Sequence, residues 1–170
     1  MARKTSFPVG PDEAKRLRLL QSSGFANATR IPELDALCEE AQSSFGSKFA
    51  TISLLTEDLQ ILKARIGTEF DSTSRDVAFC NYTILSDDVF VVLDATKDDR
   101  FRDNPLTTGE AHIRFYAGAP LIYMQGIRLG AFCVVDTAPR DDFTQSERAE
   151  LVEYAERASY ILIRHLKATA

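Results

Sequence analysis

Few side chains in this 170-residue chain could do chemistry: three cysteines, two histidines, one knot of acids and one arginine–tyrosine pair. A thiol acts as a nucleophile or redox centre when its pKa is lowered and it can be reached. Cys133 stands between Phe132 and Val134 in an apolar strand pattern and reads as a small core residue. Cys80, with Arg75 nearby in sequence, has two open readings: a structural thiol, or a ligand-contacting, redox-responsive one. Cys38 lies on the apolar stripe of a helix. An odd number of widely spaced cysteines in apolar settings fits reduced thiols in a reducing compartment, so a cytoplasmic location is expected.

His112 and His165 have no partner at a ligand spacing such as CxxC or HExxH, and no metal site is expected. His165, near the end of the last helix, is placed to offset the helix dipole. No nucleophile motif supports a Ser/His/Asp arrangement, so no catalytic residue is assigned and the chain is not expected to be an enzyme. Asp94, Asp98, Asp99, Arg100 and Asp103 could hold a cation or read a polar ligand. They lack the glycine and closing glutamate of a calcium loop. The simpler reading has Asp98 capping a short helix and a neighbouring carboxylate holding Arg100, with Asn104-Pro105 as a turn. Arg114 and Tyr116 share a strand face, with Phe115 on the other. If that face meets a pocket, a guanidinium and a phenol can orient an anionic or planar ligand. If it meets helices, Arg114 pairs with an acid such as Asp76 or Asp94.

These groups need a scaffold, and the hairpin Ile113–Leu121 and Gly126–Asp136 defines it. Its turn at Gln125-Gly126 uses a glycine for positive φ. Strict alternation places Ile127, Leu129, Ala131, Cys133 and Val135 on one face and Phe132 and Val134 on the other. A strand apolar on both faces must be covered on both. Pro11-Asp12-Glu13 opens a helix through Leu17 and Leu20 that stops near Gly24. Thr29 can cap a second helix with Ile31, Leu34, Cys38, Ala41 and Phe45 at helical spacing, ended by Gly46. Strands Phe49–Leu55 and Ile61–Ile66 flank the turn Thr56-Glu57-Asp58. Gly67–Arg75 reads as a loop, Val77–Leu85 as a short helix, Val89–Asp94 as a strand, and Lys97–Pro105 as a one- or two-turn helix. Thr144-Gln145-Ser146-Glu147 is a capping box. The helix it opens carries Leu151, Ala155, Ala158, Leu162 and Leu166 in line.

At 45% hydrophobic and 26% charged residues the composition is that of an ordinary globular protein. A net charge of −5 without a dense basic cluster argues against nucleic acid as partner. No apolar run approaches the roughly 18 residues of a membrane span. One domain is expected, with residues 1–10 a flexible arm, 11–28 the N-terminal helix and 29–167 the core with the C-terminal signalling helix.

The runs Ser74–Ile84 and Asp94–Leu106, then Ile113–Leu121 and Gly130–Asp136, then Pro139-Arg140 with Phe143-Thr144, resemble the bacterial GAF domain family in kind and order. The resemblance spans about Ile31 to Leu166. It implies an α+β fold: a central antiparallel sheet of five or six strands, terminal helices on one face, and short helices and loops over a ligand pocket on the other. It also implies a sensory or regulatory domain that binds a small molecule and relays the signal through its terminal helices. Members bind cyclic nucleotides, linear tetrapyrroles, haem or small metabolites, and often precede histidine kinase or diguanylate cyclase domains. The expected ligand contacts are Arg75, Phe79, Cys80, Phe101, Arg114 and Tyr116. A homodimer through the N- and C-terminal helices is expected. The alternative is a ligand-free interaction module in which the helix pair Asp12–Ser23 and Thr144–Lys167 joins two chains around Leu151, Ala155, Ala158 and Leu162. The ligand or cofactor is not identified. A covalent bilin is not expected, since bilin-binding members carry histidine after the attachment cysteine and Asn81 follows Cys80 here. A further branch reduces free methionine sulfoxide with two thiols that meet. Only Cys80 reads as placed for the pocket, so this activity is not expected.

Overall fold

A computed structural model describes the backbone of residues 6–169 and the side chains of residues 6–165. Helices α1 (Glu13–Ser23) and α2 (Pro32–Phe45) lead into β1 (Phe49–Leu55) and β2 (Leu59–Ile66). A short β3 (Ser72–Ser74), a 3-10 turn at Arg75–Val77 and the one-turn α3 (Cys80–Thr83) follow. Next come β4 (Phe90–Val92), a 3-10 turn at Ala95–Lys97 and α4 (Pro105–Thr108). The hairpin β5 (Phe115–Ile122) and β6 (Arg128–Asp136) then precedes α5 (Gln145–Thr169). All six strands pair antiparallel in the order β3-β2-β1-β6-β5-β4. None of the helices among the described residues is long and apolar enough to cross a membrane.

Two cores sandwich the sheet. On one face α2 and α5, with Leu20 of α1, cover Ala50, Ile52 and Leu54 of β1, Phe115, Ala117, Ala119 and Leu121 of β5, and Phe132 and Val134 of β6. On the other face Ala78, Phe79, Cys80, Ile84 and Phe101 cover Leu55, Tyr116, Ala131, Cys133 and Val135. Each large apolar side chain withdrawn from water this way contributes roughly 1.5–3 kcal/mol. In the β5–β6 hairpin strict alternation fails at one place. Leu121 pairs with Gly130 but Ile122 with Arg128, so β6 carries an extra residue there. This bulge turns Ile127 and Leu129 to the helical face with Phe132, not to the face of Cys133. A second bulge, between Ile52 and Ser53 on β1, skips Lys63 of β2. Its buried ammonium donates to Asn27 O, Asn27 Oδ1 and Thr29 O at 2.6–3.0 Å, which fixes the link between α1 and α2.

The helix ends follow local chemistry, with some departures from expectation. Gly24 and Gly46 end α1 and α2 in the left-handed conformation. Ile31, not Thr29, precedes α2, because Pro32 occupies its first position without needing a hydrogen-bond acceptor. The capping box of α5 forms in both directions: Glu147 N–H donates to Thr144 Oγ1 and Thr144 N–H to Glu147 Oε1, each at 3.1 Å. The loop expected over Gly67–Arg75 contains β3, which pairs with the edge of β2. Asn104-Pro105 opens a helix instead of closing one: Asn104 Oδ1 accepts from Leu106 N–H at 2.9 Å, and Pro105 suits the first turn. The stripe Leu151, Ala155, Ala158 and Leu162, expected at a dimer interface, is laid on the sheet by α5, and all four residues are buried within the chain. The side chain of Leu166, expected to extend this line, lies outside the described residues, as do residues 1–5 of the expected arm. The described part of that arm is docked: Ser6 donates to Asp76 at 2.9 Å, and Phe7 covers the Arg75 guanidinium at 4.4 Å.

Arg75 locks the lid segment to α1. Its Nε donates to Asn81 Oδ1 at 2.9 Å and its Nη1 to Thr56 O at 3.0 Å and to Glu13. Glu13 also pairs with Arg16 at 2.7 Å, whose Nη1 donates to Leu55 O at 2.7 Å. Burial alone would raise the Glu13 pKa, but the hydrogen bonds from Arg16 and Arg75 outweigh it and bring it down from 4.5 to about 2.

Three outcomes follow for stability. The folded state holds the Glu13 proton less readily than the unfolded chain, so the ionised cluster stabilises fully above about pH 4.5 and loses its effect as pH falls toward 2. Chemical denaturation at neutral pH and about pH 3 should show a loss on the order of 2 kcal/mol from this group. Glu13→Gln should cost about 3 kcal/mol at neutral pH by leaving two guanidinium groups uncompensated, and should flatten that acid limb. At Gly130 an added Cβ would lie 1.8 Å from Ser53 O, so Gly130→Ala must pry β6 from β1. The expected loss is at least about 2 kcal/mol in the same measurement.

Candidate functional site

Between the sheet and the short elements opposite α2 and α5 lies a cavity of about 490 Å³, within the range of small-molecule sites. Its floor is Phe49 and Thr51 of β1, Gln60 and Leu62 of β2, Tyr116 of β5 and Cys133 and Val135 of β6. Phe79 and Cys80 close one side. Gly67–Phe70 and Thr73 form another, and Leu106 of α4 with Glu110, Ala111 and Ile113 a third. Lys48 reaches the mouth, its ammonium 5.6 Å from the Phe49 ring centre. Gln60 Nε2 donates to Thr73 Oγ1 at 2.9 Å, holding β3 and its loop against the rim. The interior is therefore apolar and aromatic, with Lys48, Glu69 and Glu110 as charged groups around it.

At the inner end is a compact polar knot. Cys80 Sγ and Cys133 Sγ are 3.3 Å apart. The Tyr116 O–H donates to Cys80 Sγ at 3.1 Å and its oxygen lies 3.2 Å from Cys133 Sγ. Ser53 Oγ is 3.1 Å from Cys80 Sγ, and Thr83 Oγ1 is 2.7 Å from the Tyr116 hydroxyl. Register explains the meeting. Gly118 pairs with Cys133, Tyr116 stands two residues before Gly118 on the same face, and Thr51 pairs with Cys133 from the other side. A Cβ at Gly118 would fall 2.3 Å from the Tyr116 hydroxyl, so only glycine leaves room for the phenol to fold over it. Burial pushes the Cys133 thiol and the Tyr116 phenol well above their ordinary pKa values. Burial acts the same way on Cys80, but hydrogen bonds from Cys133, Ser53 and Tyr116 outweigh it and leave that thiol below its usual range.

The residues expected at the ligand site are only partly together. Phe79, Cys80 and Tyr116 line the cavity. Phe101 stands behind it, stacked on Phe79 at 4.0 Å between ring centres. Arg75 points away from the cavity to Glu13 and Asn81. Arg114 pairs with neither Asp76 nor Asp94. Its guanidinium donates to Thr107 O at 2.8 Å and Ile113 O at 3.1 Å, tying α4 to the start of β5. Cys133, expected as core alone, shares the cavity wall with Cys80, which corrects the expectation that only one thiol reaches this space. The acidic knot is self-contained: Asp94 caps the 3-10 turn through Thr96 N–H, and Asp98 accepts from Arg100 N–H and pairs with its guanidinium. That guanidinium lies 4.9–5.4 Å from the ring centres of Tyr82, Phe90 and Phe101. Sequence reading missed Ser53, Thr51, Gln60 and Lys48. The usable signals were a serine inside the apolar run Ile52–Leu55 and a glycine in the middle of β5.

Comparison with known proteins places this geometry. The GAF domain family profile matches residues 30–162. A cyclic di-GMP phosphodiesterase of Pseudomonas aeruginosa is 39% identical over 148 residues, covering 87% of this chain. The chain spans about a quarter of that relative's length, 25%. Among solved structures, the GAF domain of an Acinetobacter phosphoenolpyruvate-protein phosphotransferase superposes with a TM-score of 0.64 at 18% identity, covering 95% of this chain and 98% of that one. A free methionine-R-sulfoxide reductase from Neisseria meningitidis superposes at 0.65 with 13% identity, covering 98% and 99%. These findings overturn the expectation that the chain is not an enzyme: the relative is named for a phosphodiesterase activity, and the fold is shared with a reductase. By the profile match over residues 30–162, the chain belongs to the GAF domain family.

Proposed function

We propose that this chain is a sensory module whose cavity takes a small molecule and whose lid passes the binding event to the terminal helices. The observation that carries the reading is the double engagement of one short segment. Residues Arg75–Thr83 present Phe79 and Cys80 to the cavity and, four and five residues before them, hold α1 through the pair of Arg75 with Glu13. A ligand that displaces Phe79 therefore pulls on the same segment that anchors the N-terminal helix. It shifts that equilibrium only by its different affinity for the two lid positions. The ligand favoured by the lining has a planar or apolar body for Phe49, Phe79 and Tyr116 and a polar end for Lys48, Gln60 and the rim glutamates.

Cyclic di-GMP turnover is the output this reading favours, in a cytoplasmic setting that keeps the thiols reduced. Its support is the relative named for that activity, of which this chain matches a part. Histidine kinase and diguanylate cyclase outputs remain proposals from the wider family. Against the interaction-module alternative stands the burial of the α5 stripe within the chain.

Native mass spectrometry of the purified chain, compared with the same sample denatured, tests ligand capture. A reproducible mass released on denaturation is expected. Thr51→Phe, which puts a ring into the cavity floor, should remove that adduct while the fold persists by circular dichroism. No released mass from the wild-type chain, or the same mass from Thr51→Phe, overturns the reading.

A further inference from the structure

The Cys80–Cys133 pair has properties that core packing does not require. Two thiols that only fill space are surrounded by carbon. Here both line a cavity, lie 3.3 Å apart, and share the Tyr116 hydroxyl, with Ser53 against Cys80. They sit on different elements, Cys80 at the start of α3 and Cys133 in the middle of β6, so a bond between them would join lid to floor. A disulfide needs the sulfurs to approach by only about 1.2 Å more, from 3.3 Å to the bonded distance.

The geometry points to a reversible dithiol–disulfide site at Cys80 and Cys133, oxidised by a small hydroperoxide that enters through the cavity. Cys80 is the attacking thiol, since the Tyr116 O–H donates to its sulfur and Ser53 Oγ lies 3.1 Å from it. Its Sγ attacks one peroxide oxygen, the O–O bond breaks, and the departing oxygen takes the thiol proton and leaves as water or an alcohol. This yields a sulfenic acid on Cys80. Cys133 Sγ then attacks the Cys80 sulfur, the S–O bond breaks, and the hydroxyl leaves as water with the Cys133 proton. Two electrons pass from the two sulfurs to the peroxide, and two external thiol groups restore both cysteines by exchange, leaving as a disulfide of their own. Cys38, buried under α2 on the opposite side of the sheet, takes no part. The site does not depend on which ligand the cavity accepts. When formed, the disulfide fastens Phe79 and Cys80 over the cavity floor and holds the lid closed.

The test uses the unmodified chain with hydrogen peroxide as probe. The reduced, desalted protein is treated with a small excess of peroxide, denatured, alkylated and mapped by mass spectrometry. The expected result is one alkylated cysteine, Cys38, out of three, a mass lower by about 2 Da before alkylation, and a linked pair of peptides containing Cys80 and Cys133. Dithiothreitol should restore three alkylated positions. Cys38→Ser should behave identically apart from its missing site, and Cys133→Ser should leave a Cys80 sulfenic acid that dimedone traps. The mapping on the unmodified chain stands even where a variant fails to fold. Three alkylated thiols after peroxide, or Cys80 overoxidised with Cys133 still free, overturns the proposal.

Discussion

The constraint on which this molecule rests is that β6, in the centre of the sheet, is apolar on both faces and paired on both edges. With β1 on one side and β5 on the other, every backbone group of its middle is taken up in the ladder. Its side chains then demand two covers. The helical cover is built from α2 and α5, long enough to lay continuous stripes on Phe132 and Val134. The second cover cannot be another long helix, because the chain between β3 and β5 spends its length on the edge strand β4 and on tight turns. One-turn helices and capped bends roof that face instead, and their imperfect fit leaves the cavity. The site is thus a consequence of covering one strand twice with unequal materials.

The same inequality governs where polar groups are found. Under the helices the notable buried cation is Lys63, placed by a bulge and held by three neutral oxygens of the α1–α2 link. Beneath the short elements the polar groups gather: the Ser53–Cys80–Cys133–Tyr116–Thr83 knot within, and the Glu13–Arg16–Arg75 cluster at the edge. Buried networks of this kind are specific because each member is costly to leave unpaired. They hold an assembly of short segments in one arrangement, which hydrophobic cover from four-residue helices would not do alone.

Much of the frame was legible in the residues. β1, the two helix-ending glycines and the capping box of α5 follow from local rules that need no knowledge of neighbours. What could not be read was long-range. The bulge near Leu129 depends on the pairing of Leu121 with Gly130, and it moved Ile127 and Leu129 to the opposite face. The α5 stripe is apolar whether it meets a sheet or a second chain, so periodicity alone did not tell core from interface. Arg75 and Arg114 drew attention as cations near a pocket, yet carbonyl oxygens and Glu13 claim both. The meeting of Cys80 with Cys133 spans 53 residues and required the register of β1, β5 and β6 together.

The roof of short elements has a consequence for how the molecule breathes. Helix α3 and helix α4 have four residues each, and β3 and β4 three each. Segments of that size open in isolation at a free energy well below that of the whole chain, while the ladder joining β1, β6 and β5 opens only with global unfolding. Amide hydrogen exchange would then divide the protein into two tiers along the plane of the sheet. Opening of the cavity belongs to the faster tier, so its interior meets solvent many times within the lifetime of one folded molecule.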